Sequence, residues 1–335
     1  MQPKEMEKID FVITWVDDTD PIWQNAFHSY LPQRQYTDGI CSIRYRNWEN
    51  LRYWFRGVEK FAPWVDKVHF ITCGQIPDWL NTNAPKLHLA KHSDYIPSEY
   101  LPTFSSRPII LNLYRIKELS EHFVLFDDDC FLIDKVEPER FFRRGLPCDM
   151  AAFNALSPSG VFTHTVVNDL CVINASFKKH AMIRKHFWKW FSLQAGNKLL
   201  RTFFLLPWPH FTGFYDHHLP QGYLKSTFEE VWEKHADILL RTTATRFRSI
   251  ADVQPWLFRY WQLAKGDFVP LNVNRDGAYF SISDDSLSKI VKTIEYQKKR
   301  IVCLNDGEVS SFETAKEQIN AAFRKILPEK SSFEK

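Results

Sequence analysis

What this chain lacks narrows its function first. No run among its 335 residues approaches the roughly 20 apolar positions that a membrane-spanning helix needs. The longest apolar patch, Phe203 to Leu206, is cut off by Pro207. The opening residues, MQPKEMEKID, contain no apolar signal core. The expected location is the cytoplasm, with any membrane association peripheral and at the inner face. There is no Gly-rich phosphate loop, no dinucleotide fingerprint and no Gly-x-Ser-x-Gly elbow. These absences argue against a kinase, a dehydrogenase and a serine hydrolase. None of the cysteines, at 41, 73, 130, 148, 171 and 303, forms a Cys-x-x-Cys pair. A zinc ribbon or thioredoxin-type motif is therefore not expected. Their scatter reads as reduced, buried thiols. The net charge is only +3, which does not suggest nucleic-acid binding.

What is present is ordinary globular composition with many rings. Hydrophobic residues make up 44% and aromatics 16%. The rings read first as an aromatic-rich core, with sugar or base stacking as the alternative. Lys178, Lys179, Arg184, Lys185, His186 and Lys189 cluster around Phe187, Trp188 and Trp190. That cluster reads as a solvated helix face, or else as a contact with an anionic polymer or a membrane surface.

The first half alternates strand-like and helix-like stretches. Strands are expected at Ile9 to Val16, Val68 to Thr72, Leu87 to Ala90 and Phe123 to Phe126, and helices at Trp48 to Phe61 and Pro108 to Leu119. This pattern predicts an α/β fold, a mostly parallel sheet flanked by helices. The second half predicts helices at Ala175 to Leu193, Val253 to Ala264, Leu287 to Arg300 and Phe312 to Ile326. With no linker visible, residues 1–327 are expected to form one catalytic unit. Within it, 8–150 would be the α/β core and 151–327 a helical subregion, and 328–335 would be a flexible tail.

Two acidic clusters, Asp17-Asp18 and Asp127-Asp128-Asp129, fall at strand ends, where ligands bind in such sheets. Adjacent carboxylates repel one another, and a hard cation such as Mg²⁺ or Mn²⁺ accounts for such a run. The Asp127–Asp129 pair also has the Asp-x-Asp spacing by which many nucleotide-sugar transferases hold a metal on a diphosphate. His217 and His218 lie in a loop beside Asp216, and histidine can accept a hydroxyl proton near neutral pH. Arg248 offers a guanidinium suited to phosphate oxygens.

Several segments together resemble the Stealth family of sugar-1-phosphate transferases. They include Ile9 to Asp17 with Asp20-Pro21, then Tyr45-Arg46-Asn47 and Leu51-Arg52-Tyr53. Ala62 to Val65, Gly74-Gln75-Ile76-Pro77 and Leu101 to Ser106 follow, then Tyr114-Arg115-Ile116 and the aspartate run. His218-Leu219-Pro220, Phe247-Arg248-Ser249 with Asp252-Val253, and Cys303 to Asp306 complete the order. The sequence departs from the family in three places. Asp127 stands where the family usually has Asn, Ile110 replaces an acid, and Tyr114 replaces a His. The resemblance implies a fold similar to nucleotide-sugar transferases. It also implies transfer of a sugar-1-phosphate, N-acetylglucosamine first, from a UDP-sugar to a glycan hydroxyl, releasing UMP. It assigns metal ligation to Asp128, Asp129 and Asp306, and catalysis to His218, Arg248 and Asp17. Donor contacts fall on Arg52, Gln75, Ser105, Asn112 and Arg115. The alternatives are a metal-dependent glycosyltransferase that releases UDP, and a non-catalytic carbohydrate-binding protein.

Overall fold

A computed structural model describes residues 7–31, 46–157 and 160–335. Cys41 and Tyr45 lie outside the described residues. The central sheet is built from β1 (Ile9–Thr14), β2 (Val68–Thr72), β3 (Leu87–Lys91) and β4 (His122–Phe126). They run parallel in the order β3-β2-β1-β4. Side-chain alternation explains the layers on either side. Phe11, Ile13, Val124 and Phe126 enter one apolar cluster, and Val12, Phe123 and Leu125 enter the other. Both faces are therefore covered, and the strands read as near-continuous apolar runs.

The helix Leu51–Phe61 lies in the first cluster, burying Tyr53, Trp54, Phe55, Val58 and Phe61. It packs on β5 (Cys130–Leu132) so closely that a Cβ on Gly57 would sit 2.8 Å from the Leu132 carbonyl oxygen. The expected helix from Pro108 to Leu119 is only Ser106–Leu111, followed by a 3₁₀ turn at Leu113–Arg115. Asn112 separates the two, its amide donating back to the Pro108 carbonyl at 2.9 Å.

Strands continue through the second half beside the expected helices. After the small hairpin of β6 (Phe142–Arg143) and β7 (Leu146–Asp149), β8 (Gln221–Leu224) joins the central sheet antiparallel to β4. β9 (Val269–Pro270) pairs with β7. β10 (Gly277–Ser281) and β11 (Ile301–Asn305) form a second sheet with β5. The helix expected over Ala175 to Leu193 is broken into pieces. Val161–Ser176 ends at Phe177, and Lys179–Lys185 and Phe187–Trp190 follow separately.

Residues 328–335, expected to be a flexible tail, are docked instead. Phe333 is buried against Phe55, and both Glu334 oxygens accept from the Arg56 guanidinium, at 2.7 and 2.8 Å. A buried ring plus a forked ion pair holds even a charged terminus.

Asp10 is fully buried in β1 and satisfied on all sides. It accepts from the Lys67 and Ser120 amides at 3.1 and 2.8 Å and pairs with His69 at 3.0 Å. Burial pushes its carboxyl up, but His69 and the Ser120 amide together hold it below the usual range. Asp10→Ala would strand these buried donors. Denaturant unfolding should show a loss of about 3–5 kcal/mol.

Candidate active site

Parallel pairing places the ends of β1 and β4 on the same sheet edge, since Ile13 is in register with Phe126. Asp17-Asp18 and Asp127-Asp128-Asp129 therefore line one cleft of about 740 Å³. The aspartate run is also the junction between the two sheets. β4 ends before it, and β5 leaves it to pair with β11, with Cys130 opposite Cys303. The Leu304 amide donates to the Asp129 carbonyl at 2.8 Å. This pairing brings Asp306, 177 positions from Asp129 in the chain, to the same cleft.

The electrostatics are those of an acidic site short of positive charge. Burial and repulsion from the neighbouring aspartates raise Asp128 to about 6 and Asp129 to about 7. Asp127 is raised by burial, against the pull of His218 and Arg248. Asp306 has both carboxylate oxygens enclosed without a hydrogen-bond donor, and its countercharge is the Arg46 guanidinium at 3.7 Å. Oxygen donors in this state fit a hard divalent cation such as Mg²⁺ or Mn²⁺.

Asp129 has a second environment. Its two oxygens meet the thiols of Cys130 and Cys303, at 3.4 and 3.3 Å, and the three donor atoms lie within 4.8 Å of one another. Thiolates would suit a softer ion. Here the contact with Cys303, burial and nearby Asp129 push Cys130 well up. Cys303 is pulled down by Cys130, but burial and Asp129 carry it to about 11. Both remain protonated and act as donors that orient Asp129. Cys130, Cys148 and Cys303 are buried thiols as expected, whereas Cys73 and Cys171 are exposed.

His218 faces the cleft, its ring 5.2 Å from both Trp256 and Tyr279. Its φ of 44° is left-handed, a conformation that costs a non-glycine residue about 1–3 kcal/mol and clusters at functional sites. Desolvation depresses its pKa, so the imidazole is neutral at pH 7 and can accept a proton. Its neighbour His217 is buried and structural, pairing with Asp149 at 3.3 Å and accepting from the Leu219 amide. Behind the loop, Arg259 clamps Asp149 through two bonds of 2.7 and 2.9 Å and reaches Asp216 at 2.7 Å. Burial pushes Asp149 up, but Arg259 and His217 bring it well below the carboxylate range. Burial carries Asp216 to about 6 against the pull of Arg259. This buried network fixes the backbone that presents His218.

Arg248 also lines the cleft, and its guanidinium reaches the Ser106 hydroxyl at 3.4 Å. Asp252 organises its loop. It accepts from Arg107 at 2.6 Å, from the Ser249 amide at 2.8 Å and from Thr245 at 3.0 Å. Phe104 stacks on Phe247 at 5.2 Å, which joins the Leu101 to Ser106 segment to the Arg248 loop.

The residues expected to contact the donor divide. Asp17 lines the cleft, its carboxylate turned to the Thr19 amide and hydroxyl at 3.0 and 2.6 Å. Gln75 is outside the cleft lining and braces this loop, exchanging bonds with the Asp17 backbone and donating to Asp20 at 3.0 Å. Ser105 is in the cleft wall, but its hydroxyl caps the helix Ser106–Leu111. Arg52 lies over Trp79 in an adjacent pocket of about 210 Å³. Asn112 and Arg115 are not in the cleft at all. Asn112 is fully buried and bonded to Thr243, and Arg115 bonds Asn112 and stacks on Tyr114 and Trp232. Sequence reasoning assigned no role to Arg46, Ser106, Arg259 or Asp252. Their signal was weak, since each is one charged or hydroxyl residue whose partner lies far away in the chain.

Family models match in the same regions. "Stealth protein CR1, conserved region 1" covers residues 7–35, and "Stealth protein CR2, conserved region 2" covers 44–148. A capsular polysaccharide phosphotransferase, WcwK, of Streptococcus pneumoniae is 44% identical over 99% of both chains. The chain belongs to the Stealth family. A receptor polysaccharide phosphotransferase, WefC, of Streptococcus gordonii is 41% identical over 98% of this chain and 99% of its own. An exopolysaccharide phosphotransferase, cps2G, of Lactiplantibacillus plantarum is 39% identical over 98% and 96%. The Stealth protein described here is accordingly a transferase enzyme of the phosphotransferase class. Among solved structures, the galactosyltransferase LgtC with donor and acceptor sugar analogues aligns over 94% of this chain and 95% of its own. That alignment has 11% identity and a TM-score of 0.39, too distant to carry weight.

Proposed function

We propose that the protein transfers a hexose-1-phosphate, N-acetylglucosamine-1-phosphate first among candidates, from a UDP-sugar to a glycan hydroxyl. The product would be a phosphodiester in a capsular or exopolysaccharide, and UMP would leave. The observation that carries this reading is the meeting in one cleft of a buried acidic run, a neutral His218 and Arg248. His218 takes the proton of the acceptor hydroxyl. The freed oxygen attacks the β-phosphorus, which keeps its bond to the sugar oxygen. The bond from that phosphorus to the bridging oxygen breaks, and its electrons leave on UMP. Arg248 holds the non-bridging oxygens of the transferred phosphoryl group. Asp128, Asp129 and Asp306 would hold Mg²⁺ or Mn²⁺, with Asp129 oriented by its two thiols. The ion would neutralise diphosphate charge. Asp17 would bound the donor side of the cleft.

Purified protein incubated with a panel of UDP-sugars, a short glycan acceptor and Mg²⁺ should release UMP. Release of UDP would instead mark ordinary glycosyl transfer.

The metal reading has a readout apart from activity. Asp128 and Asp129 hold protons more tightly in the folded chain than in the unfolded one. Ionising them therefore costs stability as pH rises from the ordinary carboxylate range to about 7. The rise in Tm on replacing a chelator with Mn²⁺ or Mg²⁺ should be larger at pH 8 than at pH 5. Equal rises at both values would contradict ligation by these carboxylates.

A further inference from the structure

The basic and aromatic segment noted in the sequence does not form the simple solvated helix face it first suggests. It folds into two short helices, Lys179–Lys185 and Phe187–Trp190, and the turn Leu193–Ala195 then leads into a third, Lys198–Phe204. Its foundation is buried. Trp190 is enclosed by Phe153, Phe214 and Phe268, and Lys179 donates to the carbonyls of Leu205, Leu206 and Trp208. Its outer side is the reverse of a normal protein surface. Trp188 is 85% exposed, Leu193 87% and Phe204 74%, and Phe187, Leu200, Phe203 and Trp208 are exposed beside them. The rings are in mutual contact, since Trp188 meets Phe187 at 5.2 Å, Phe187 meets Phe191 at 4.6 Å and Phe191 meets Phe203 at 5.0 Å. Contiguous exposed rings of this kind mark an interaction site.

The charge around the rings identifies the occupant. The chain has 40 Asp and Glu, yet none falls between Asp169 and Asp216. Besides the buried Lys179, the same interval carries Lys178, Arg184, Lys185, Lys189, Lys198 and Arg201. A second copy of this chain would bring like charge against like charge. A soluble polyanion would satisfy the cations but leave the rings in water. An anionic bilayer satisfies both, with cations at the headgroups and Trp, Phe and Leu at the acyl boundary. No helix among the described residues is long and apolar enough to cross a membrane, so the contact would lie in the interface plane.

We propose that residues 187–208 seat this protein on an anionic phospholipid surface. The Phe211–Tyr215 stretch connects this surface directly to the His218 loop, and Tyr215 itself accepts from Arg259 at 2.9 Å and lies under Lys198. The seat would thereby hold the cleft near acceptors carried at a membrane. The lipid contact itself stands independently of the transfer chemistry.

Co-sedimentation of the full chain with vesicles tests it. The protein should pellet with mixed phosphatidylglycerol and phosphatidylcholine and stay largely in the supernatant with phosphatidylcholine alone. The double variant Trp188→Ser, Phe204→Ser should bind the anionic vesicles roughly tenfold more weakly or worse. Both side chains are exposed, and an unchanged circular dichroism spectrum and Tm would show that the fold persists. Wild-type protein left in the supernatant with anionic vesicles would overturn the proposal. So would a variant that pellets like wild type, which would mean that charge alone, as toward any polyanion, accounts for binding. A concentration-dependent dimer lost in the variant, without vesicle binding, would assign the patch to self-association and also overturn it.

Discussion

His218→Ala should lower kcat by roughly 10²- to 10⁴-fold, the range typical of a lost general base, with little change in donor KM. The geometry separates this residue from its neighbour. Both rings reach the cleft, but His217 is buried and committed to Asp149, whereas His218 is exposed there in a left-handed backbone conformation. In wild type, kcat should fall as pH drops below the depressed pKa of His218, because the protonated ring cannot take the acceptor proton. The alanine variant should lose that acidic limb as well as its rate. His217→Ala should behave differently, reducing stability more than the pH dependence of turnover. Near wild-type turnover in His218→Ala, at saturating donor and metal, would remove the base assignment.

Asp128→Asn is expected to reduce turnover about 10³-fold or more, because charge neutralisation at the diphosphate supplies several kcal/mol of transition-state stabilisation. Excess Mg²⁺ should restore only part of the loss, since the amide is a poor substitute for an anionic oxygen. Chelation of wild type should give a comparable loss that is reversed by adding Mg²⁺ or Mn²⁺. The contrast with Asp129 is informative. Its oxygens are engaged by the Cys130 and Cys303 thiols, so Cys303→Ala should weaken Asp129 orientation and activity without removing a charge. Full activity in chelator would refute metal dependence, and with it the role given to Asp128.

The central strands were legible because buried parallel strands are written as continuous apolar runs, as in Ile9 to Val16 and Phe123 to Phe126. The acidic clusters were legible for the same reason, since each ends such a run. β10 and β11 were not, because β11 depends on pairing with β5, more than 150 positions away, and β10 in turn pairs with β11. That pairing is what delivers Asp306 to the cleft. The helix Val161–Ser176 was missed because Val161, Thr163, Thr165, Val166, Val167, Val172 and Ile173 are β-branched, and tertiary packing overrides their weak helix preference. The helix expected to begin at Leu287 begins at Asp284, and its start was signalled by Ser283 and the acidic pair Asp284-Asp285.

At the site, the structure brings Asp17, Asp128, Asp129, His218, Arg248 and Asp306 together in the lining of one cleft. Residues assigned by position within a matching block fared differently. Asn112, Arg115 and Gln75 serve the scaffold, through buried bonds that no linear pattern reveals. Asp127 also has a physical effect on the base. It lies within electrostatic range of His218 and favours the imidazolium that forms on proton transfer.

The most direct test follows the β-phosphorus itself. UDP-N-acetylglucosamine, or whichever UDP-sugar proves to be the donor, would be labelled with ³²P at the β-position and incubated with enzyme, acceptor and Mg²⁺. The account predicts that the label moves into the glycan product as a phosphodiester while unlabelled UMP accumulates. Label retained in released UDP, with an unlabelled sugar joined to the acceptor, would contradict it.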